Sequence, residues 1–189
     1  LRTLHHELCV SQAMRGRYRM LERHGEKAAE LAGEGMKRWV PPLVAMLEEL
    51  PGREAEKWCH LMRFKREDTQ AILQCLGRVP ETIRALRTEM PPPSLIAGVL
   101  VPLAGEALAY LYVLGGPGIR DVVELYVNKW KYMETEIDGN DLAGLGLAPS
   151  RIYAEILGAV RDARLDGEVE SREEELEMAR RLVKKAKKG

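Results

Sequence analysis

Two groups of histidine and cysteine residues are the first candidates for chemistry in this chain. His5, His6 and Cys9 fall within a helical turn of one another, and Cys59 and His60 follow as a neighbouring pair. Imidazole and thiolate are ligands that zinc prefers, but a structural zinc site needs four of them at suitable spacings. The spacing here does not supply that pattern, so the sequence predicts no metal site. A small helical metalloenzyme that uses these residues stays open as an alternative.

A cluster of carboxylates lies later in the chain, at Glu134, Glu136, Asp138 and Asp141. Carboxylate oxygens are the ligands that Mg²⁺ and Ca²⁺ prefer. An EF-hand loop would need a closing glutamate, however, and Pro149 occupies that position. The cluster is therefore interpreted as a solvated acidic turn.

A glycine-rich stretch at 115–118 is the remaining candidate for catalytic chemistry. It lacks the Lys-Ser/Thr pair of a phosphate-binding loop, so we interpret it as a connection between helices. No constellation of nucleophile, base and metal ligand remains, and the sequence predicts no catalytic residues in this chain.

Basic residues near a predicted helix start offer a different chemistry, the binding of a phosphate. A helix start presents unpaired N–H groups and a partial positive charge. Here Gly146 precedes the helix, Ser150 adds a hydroxyl donor and Arg151 adds a cation. Four further candidates for phosphate contact are Lys129, Lys131, Arg161 and Arg164. For the two arginines, surface ion pairs with Asp162, Asp166 or Glu168 are the open alternative. For the two lysines, a solvated helix face is the open alternative.

The elements that would position these residues are helices. Apolar residues recur at helical spacing, and no run alternates as a strand would. The sequence predicts an all-α fold, with an irregular multi-helix body followed by a smaller helical tail and no significant sheet. Prolines at 91, 92 and 93 form the clearest boundary. They divide the chain into a body over 1–93 and a tail over 94–189, with the candidate phosphate-binding turn and helix near 139–167.

Individual helix boundaries follow from local residues. Gly77 is predicted to end one helix and Pro80 to open the next. The apolar stretch 94–114 is almost long enough to span a membrane, but Pro102 and Glu106 interrupt it. It predicts two short buried helices, the second beginning at Pro102.

The tail has its own boundary residues. A helix is expected over 120–133, with Val123, Tyr126, Val127 and Trp130 on its buried face. A turn at 139–141 is expected to cap a helical turn at 142–145. A further helix is expected over 151–165, and a capping box of Ser171 and Glu174 predicts the final helix.

Composition limits the class of protein. The 189 residues are 46% hydrophobic and 31% charged, which is typical of a folded rather than a disordered chain. Lys plus Arg and Asp plus Glu both number 29, so any RNA contact must be local or shared with another domain. Three cysteines without a repeating spacing indicate reduced thiols in a cytoplasmic protein. Because the chain begins with Leu1, we expect it to be a fragment.

The segment 139–169, GNDLAGLGLAPSRIYAEILGAVRDARLDGEV, resembles the C-terminal signature of bacterial class II tRNA nucleotidyltransferases. These are the CCA-adding and A-adding enzymes of the poly(A) polymerase-like family. Their tail runs Thr-Gly-x-Asp-Leu, Leu-Gly, Pro-Gly-Pro, a helix, and Ala-Arg-Leu-Asp-Gly-Glu. The matching positions are Gly139, Asp141, Leu142, Leu145, Gly146, Pro149 and 163–168. The chain departs at Asp138, where the family has Thr, and at 148–150, which reads Ala-Pro-Ser. A weaker likeness covers the rest of the chain.

The resemblance implies that this chain is the tRNA-binding C-terminal portion of such a transferase. It would hold the tRNA elbow and acceptor region, while catalysis belongs to a head and neck upstream. Mg²⁺ and ATP, with CTP where the enzyme adds CCA, would bind there, and this chain would bind no cofactor. The head's Gly-Ser and Asp-x-Asp motifs are missing here, and Glu67-Asp68 lacks the arginine that completes the neck motif. The expected partners are tRNA and the chain's own head and neck, with no membrane. A helical protein-interaction or dimerisation module without an RNA role is the alternative that zero net charge favours.

Overall fold

The computed structural model describes residues 10–50, 52–88 and 91–186, and over these residues it is helical without strands. The first helices are α1 (Gln12–Ala32), α2 (Val40–Leu47), α3 (Gly52–Leu61), α4 (Arg66–Thr88) and α5 (Pro93–Leu100). They are followed by α6 (Gly105–Leu114), α7 (Pro117–Asn128), α8 (Gly139–Gly144), α9 (Arg151–Leu165) and α10 (Arg172–Ala186). The all-α prediction is confirmed. His5, His6 and Cys9 lie outside the described residues.

The chain forms two compact units. The first comprises Leu1–Met90 and Val99–Val127, and the second comprises Pro91–Gly98 and Asn128–Gly189. The predicted division into 1–93 and 94–189 differs from these units chiefly because it places 99–127 with the tail. The division into a body over 1–93 and a tail over 94–189 stays a prediction.

The first unit is built around α6, which packs against α1 and α4. This helix is apolar on nearly all sides, and a helix of that kind has to be buried. Buried polar groups of α6 have partners, as Glu106 and Tyr110 show. Glu106 accepts a hydrogen bond from the Lys37 N–H at 3.0 Å, and the Tyr110 hydroxyl donates to Glu48 at 2.8 Å. Buried polar groups with such partners do not incur the full cost of desolvation.

The predicted break between Gly77 and Pro80 is wrong, because α4 runs through both residues to Thr88. A proline inside a helix removes one backbone hydrogen bond. The buried face nevertheless continues past it at spacings of three and four, with Ile72, Cys75, Val79, Thr82 and Leu86. Packing of that continuous face outweighs the local cost of the proline.

The two short helices expected in 94–114 are present as α5 and α6, but the second begins at Gly105 rather than at Pro102. Pro102 lies in the intervening turn, where its carbonyl accepts a hydrogen bond from Gln74 at 3.3 Å. Within the part of the chain that the structure describes, no helix is long and apolar enough to cross a membrane.

The second unit has a small core shared by α8, α9 and α10. Helix α9 has the predicted bounds. The capping box before α10 is also confirmed, since Glu174 accepts the Ser171 N–H at 3.2 Å and donates its own N–H to the Ser171 hydroxyl at 3.4 Å. The fully packed residues of this core are Ile137, Leu142, Ile156, Val160, Ala179 and Val183.

The two helices expected in 120–145 have other bounds than predicted. Helix α7 begins at Pro117 and ends at Asn128, and a 3₁₀ turn, Trp130–Tyr132, follows it. Helix α8 begins at Gly139, where the sequence predicted only a capping turn. Its N-cap is Asp138, one of the acids assigned to a solvated turn. Because Asp138 and Asp141 each accept a backbone N–H from the other, the helix starts three residues earlier than expected.

Candidate nucleic-acid interface

The turn that leads into α9 is anchored on both sides. Gly146 has a φ of +73°, a left-handed conformation that glycine adopts at little cost. The Leu147 N–H donates to the Leu142 carbonyl at 3.3 Å. The Tyr153 hydroxyl, one turn into α9, donates to the Leu147 carbonyl at 2.6 Å. The start of α9 therefore has a defined position on the core of the second unit.

Ser150 and Arg151 are exposed at that helix start. Ser150 is the extended N-cap residue, and its hydroxyl makes no capping hydrogen bond to the first turn. Among the described residues, no ion-pair partner is found for Arg151. The N–H groups of a first helical turn have no partner within the helix. The start of α9 thus combines backbone donors, a hydroxyl and a cation, which are the groups that bind a phosphate.

Arg161 is committed to the backbone of the 3₁₀ turn. Its Nε donates to the Met133 carbonyl at 2.9 Å, and its Nη2 reaches the Trp130 carbonyl at 3.5 Å. The guanidinium therefore holds both ends of this turn against α9. An ion pair with a neighbouring surface acid, the alternative raised by the sequence, is not what the structure shows.

Arg164 joins a buried carboxylate to the segment before α8. Its guanidinium pairs with Glu175, whose side chain is fully buried, and with Glu136 at 2.7 Å. Hydrogen bonds to Glu136 and Glu175 raise the pKa of the guanidinium. Glu175 also accepts the backbone N–H groups of Glu136 and Ile137 at 2.8 and 3.1 Å.

Glu175 was not identified from the sequence as a buried charge, although its place in the helical pattern indicates burial. It lies on the buried stripe of α10 with Ala179 and Val183, at helical spacing. A charged residue in such a stripe needs a buried partner. Its partner lies eleven residues earlier, on a different helix.

Lys129 and Lys131 lie at the 3₁₀ turn and are exposed. The Lys131 ammonium lies 5.8 Å from the centroid of the Tyr132 ring. Tyr132 itself is 69% exposed. The two lysines were predicted as candidate binding residues, whereas Tyr132 was not among the candidates.

The remaining candidates for metal binding or catalysis do not form a recognisable site within the described residues. There, no group of three or more His, Cys, Asp or Glu residues is placed to hold a metal ion. Burial raises the pKa of the Cys59 and Cys75 thiols, which are unpaired. A groove of about 880 Å³ runs between α3 and α4. Its lining includes Arg66 and Arg78 but also Glu56 and Glu81, so the charges give no preference for an anion.

Comparison with known proteins finds similar sequences among the A-adding tRNA nucleotidyltransferases. An A-adding tRNA nucleotidyltransferase of Geobacter sulfurreducens is 29% identical over 160 residues, which is 82% of this chain and 18% of the relative. A second one, of Halalkalibacterium halodurans, is 29% identical over 75 residues, which is 40% of this chain and 18% of the relative. The chain thus spans less than a fifth of the length of these curated relatives. No family model matches it.

Solved structures share the fold over nearly the whole chain. The Thermotoga maritima CCA-adding enzyme complexed with tRNA has a TM-score of 0.74 at 20% identity, covering 94% of this chain and 43% of that one. An apo CCA-adding enzyme has a TM-score of 0.72 at 20% identity, covering 93% and 41%. The resemblance to the class II tRNA nucleotidyltransferases is confirmed. The coverage is consistent with a C-terminal region of such an enzyme.

The residues that carry the tRNA nucleotidyltransferase resemblance are mostly structural. Asp141 belongs to the capping box of α8, and Leu142 is fully buried. Arg164 binds the buried Glu175. Asp166 accepts hydrogen bonds from the Ser94 N–H and hydroxyl at 2.8 and 2.6 Å. The signature therefore specifies how the second unit folds, and exposed polar and charged groups lie around it.

Proposed function

We propose that this chain is the tRNA-binding C-terminal portion of a tRNA nucleotidyltransferase that adds CCA, or only A, to tRNA 3′ ends. The chain holds and positions the tRNA elbow and acceptor region. Catalysis, with its Mg²⁺, ATP and any CTP, belongs to a head and neck outside this sequence. These domains are the second partner of the chain.

The observation that supports the proposal most is the extent of the shared fold. Nearly all of this chain aligns with less than half of a CCA-adding enzyme that was solved with tRNA. The sequence relatives are named as A-adding enzymes of the same class. A chain that corresponds to part of such an enzyme, and in which we find no catalytic constellation, suits a substrate-holding role.

The exposed groups of the second unit support RNA phosphate as the ligand. Ser150 and Arg151 lie at the start of α9 with the unpaired N–H groups there, and Gly146 shapes the turn before it. Lys129 and Lys131 add two exposed cations. Folded RNA is recognised mainly by shape and by phosphate and 2′-hydroxyl contacts. We assign Arg161 and Arg164 to positioning these groups, because their guanidinium groups are already hydrogen-bonded within the unit.

A protein-interaction or dimerisation module is the second candidate. Zero net charge favours it, as do exposed apolar side chains such as Leu61 on α3 and Leu95 on α5. This function would give self-association or protein binding and no salt-sensitive affinity for RNA.

The experiment is to measure binding of the full chain to a tRNA transcript and to a plain RNA duplex over a series of salt concentrations. Preference for tRNA with an affinity that falls steeply with salt is expected, because bound cations release counterions from phosphate. Arg151→Gln should reduce the steepness of the logarithmic salt dependence by about 0.7 to 0.9. Arg180→Gln, at an exposed position of α10, makes the same change in charge away from the start of α9 and is the control.

Two outcomes would contradict the proposal. Equal or absent binding of tRNA and duplex at low salt would leave the interaction module as the better explanation. Nucleotide addition by the chain, when it is supplied with tRNA, Mg²⁺, ATP and CTP, would contradict the assignment of catalysis to upstream domains.

A further inference from the structure

Tyr132 is displayed from a turn that is held in place. Trp130, at the start of the 3₁₀ turn, is buried and only 9% exposed. Backbone hydrogen bonds join Tyr132 to Lys129 at 3.3 Å and Met133 to Trp130 at 3.2 Å. Arg161 binds carbonyls at both ends of the turn. The backbone below the exposed ring is thus already ordered, so a ligand that covers the ring would not have to order it.

The surroundings of the ring are cationic. Lys129 and Lys131 are both exposed, and within the described residues neither has an ion-pair partner. The Lys131 ammonium interacts with the ring itself at 5.8 Å. Two glutamates follow this turn. Glu136 is already paired with Arg164, and Glu134 is exposed.

We propose that Tyr132 stacks on an unpaired base of a bound RNA while Lys129 and Lys131 contact the flanking phosphates. The inference rests on the proposed function and adds a base-contacting residue to it. An exposed aromatic ring beside cations is a common means of binding unpaired nucleotides. The core of a protein interface would instead be depleted of charge, whereas Lys131 lies against this ring and Lys129 is three residues before it. We name the three residues the Tyr132 platform.

The platform predicts which RNA the chain prefers. A base inside an A-form duplex is already stacked on both faces, so it offers no surface to a tyrosine. An unpaired base in a loop or at the end of a helix does. The preference for tRNA over a plain duplex should therefore depend on the aromatic ring, and not only on the cations.

Three substitutions separate these contributions, measured as affinity of the full chain for a tRNA transcript and a blunt RNA duplex over a salt series. Tyr132→Leu keeps an apolar side chain without the ring and should weaken tRNA binding about tenfold, with little effect on duplex binding. Tyr132→Phe keeps the ring and should bind as the unmodified chain does. Lys131→Gln should lower the salt dependence by about 0.7, whereas Tyr132→Leu should leave it unchanged.

The possible results distinguish this inference from the proposed function. If the unmodified chain prefers tRNA but Tyr132→Leu binds it equally well, stacking is excluded and the tRNA-holding role stands. If Tyr132→Leu and Tyr132→Phe both weaken binding equally, the hydroxyl is the contact and stacking is again excluded. If the unmodified chain shows no preference for tRNA, the proposed function fails and the platform fails with it. Unchanged circular dichroism and melting temperature would confirm that the exposed substitutions leave the fold intact.

Discussion

At the scale of single residues, the second unit depends on one buried carboxylate. Glu175 is fully buried and receives a guanidinium and two backbone N–H groups. These contacts join α10 to Arg164 on α9 and to the segment before α8. A buried charge is tolerated only when such partners compensate its desolvation. The arginine of the family signature therefore acts on the position of α8 and the loop before it.

Glu175→Gln should lower the free energy of unfolding by about 3 kcal/mol, because it removes the buried charge that pairs with Arg164 and accepts two backbone N–H groups. Chemical denaturation followed by circular dichroism measures this change. Glu173→Gln removes an exposed carboxylate from the same turn of α10 and should change stability by less than about 0.5 kcal/mol. An equal change in the free energy of unfolding for both substitutions would mean that the pair of Glu175 and Arg164 does not stabilise the fold.

At the scale of elements, helix starts in the second unit are set by carboxylates. Asp138 and Asp141 form a reciprocal capping box for α8, and Ser171 and Glu174 do the same for α10. Hydrogen bonds from the N–H groups of Asp141 and Asn140 hold the pKa of Asp138 below its ordinary value. The N–H groups of Glu170 and Ser171 lower the pKa of Glu174 in the same way.

The capping carboxylates predict how stability depends on pH. Since folding lowers the pKa of Asp138, its stabilising contribution is complete above the unfolded pKa of about 3.9 and is lost as pH falls through the lower folded value. Asp138→Asn keeps an acceptor oxygen that does not titrate in this range. The variant should lose less stability than the unmodified chain between about pH 5 and about pH 2. Denaturation over that range tests this, with Asp162→Asn on an exposed face of α9 as the control.

Two glycines of the first unit, Gly77 inside α4 and Gly115 directly after α6, should differ in what an added methyl group does. A Cβ at Gly77 in α4 would meet no atom within 4 Å. Gly77→Ala should therefore stabilise the chain by about 0.5 to 1 kcal/mol through helix propensity. At Gly115 a Cβ would lie 2.4 Å from Ile119 Cγ2 and 2.8 Å from the Leu111 carbonyl oxygen, so Gly115→Ala should destabilise. Thermal melting of both variants compares them, and stabilisation by Gly115→Ala would contradict the packing described for that turn.

At the scale of the whole molecule, the chain consists of two compact units and has no net charge. Its binding capacity therefore depends on where charges lie and not on their sum. The cations proposed to meet RNA are confined to the second unit. The first unit contributes the larger core, built around α6.

The two units should respond separately to loss of core packing. Leu142 is fully buried in the second unit and Leu47 is fully buried in the first. Replacing either leucine with alanine should cost about 2 to 5 kcal/mol in its own unit. Amide hydrogen exchange should show faster exchange in α8, α9 and α10 for Leu142→Ala, and in α1, α4 and α6 for Leu47→Ala. Uniform acceleration in both units by either variant would indicate a single cooperative unit instead.

Much of the helical framework could be predicted from local residues. The bounds of α9 follow from Pro149, Ser150 and the Asp166-Gly167 stop, and the capping box before α10 follows from Ser171 and Glu174. These features are local because a cap or a stop involves atoms only a few residues apart. The signature in 139–169 likewise indicated the family, because the same local interactions produce it.

The course of α4 through Pro80, the partner of Glu175 and the exposure of Tyr132 were decided by tertiary packing. Each depends on groups from different helices or on which face of a turn is covered, and residue spacing does not contain that information. The sequence alone predicted an all-helical chain that resembles the tRNA nucleotidyltransferases, with two of its helix starts. Only the tertiary structure determined which charged side chains hold the second unit together and which stay exposed to a ligand. The reason is that burial of one partner sets the free-energy cost of leaving the other unpaired.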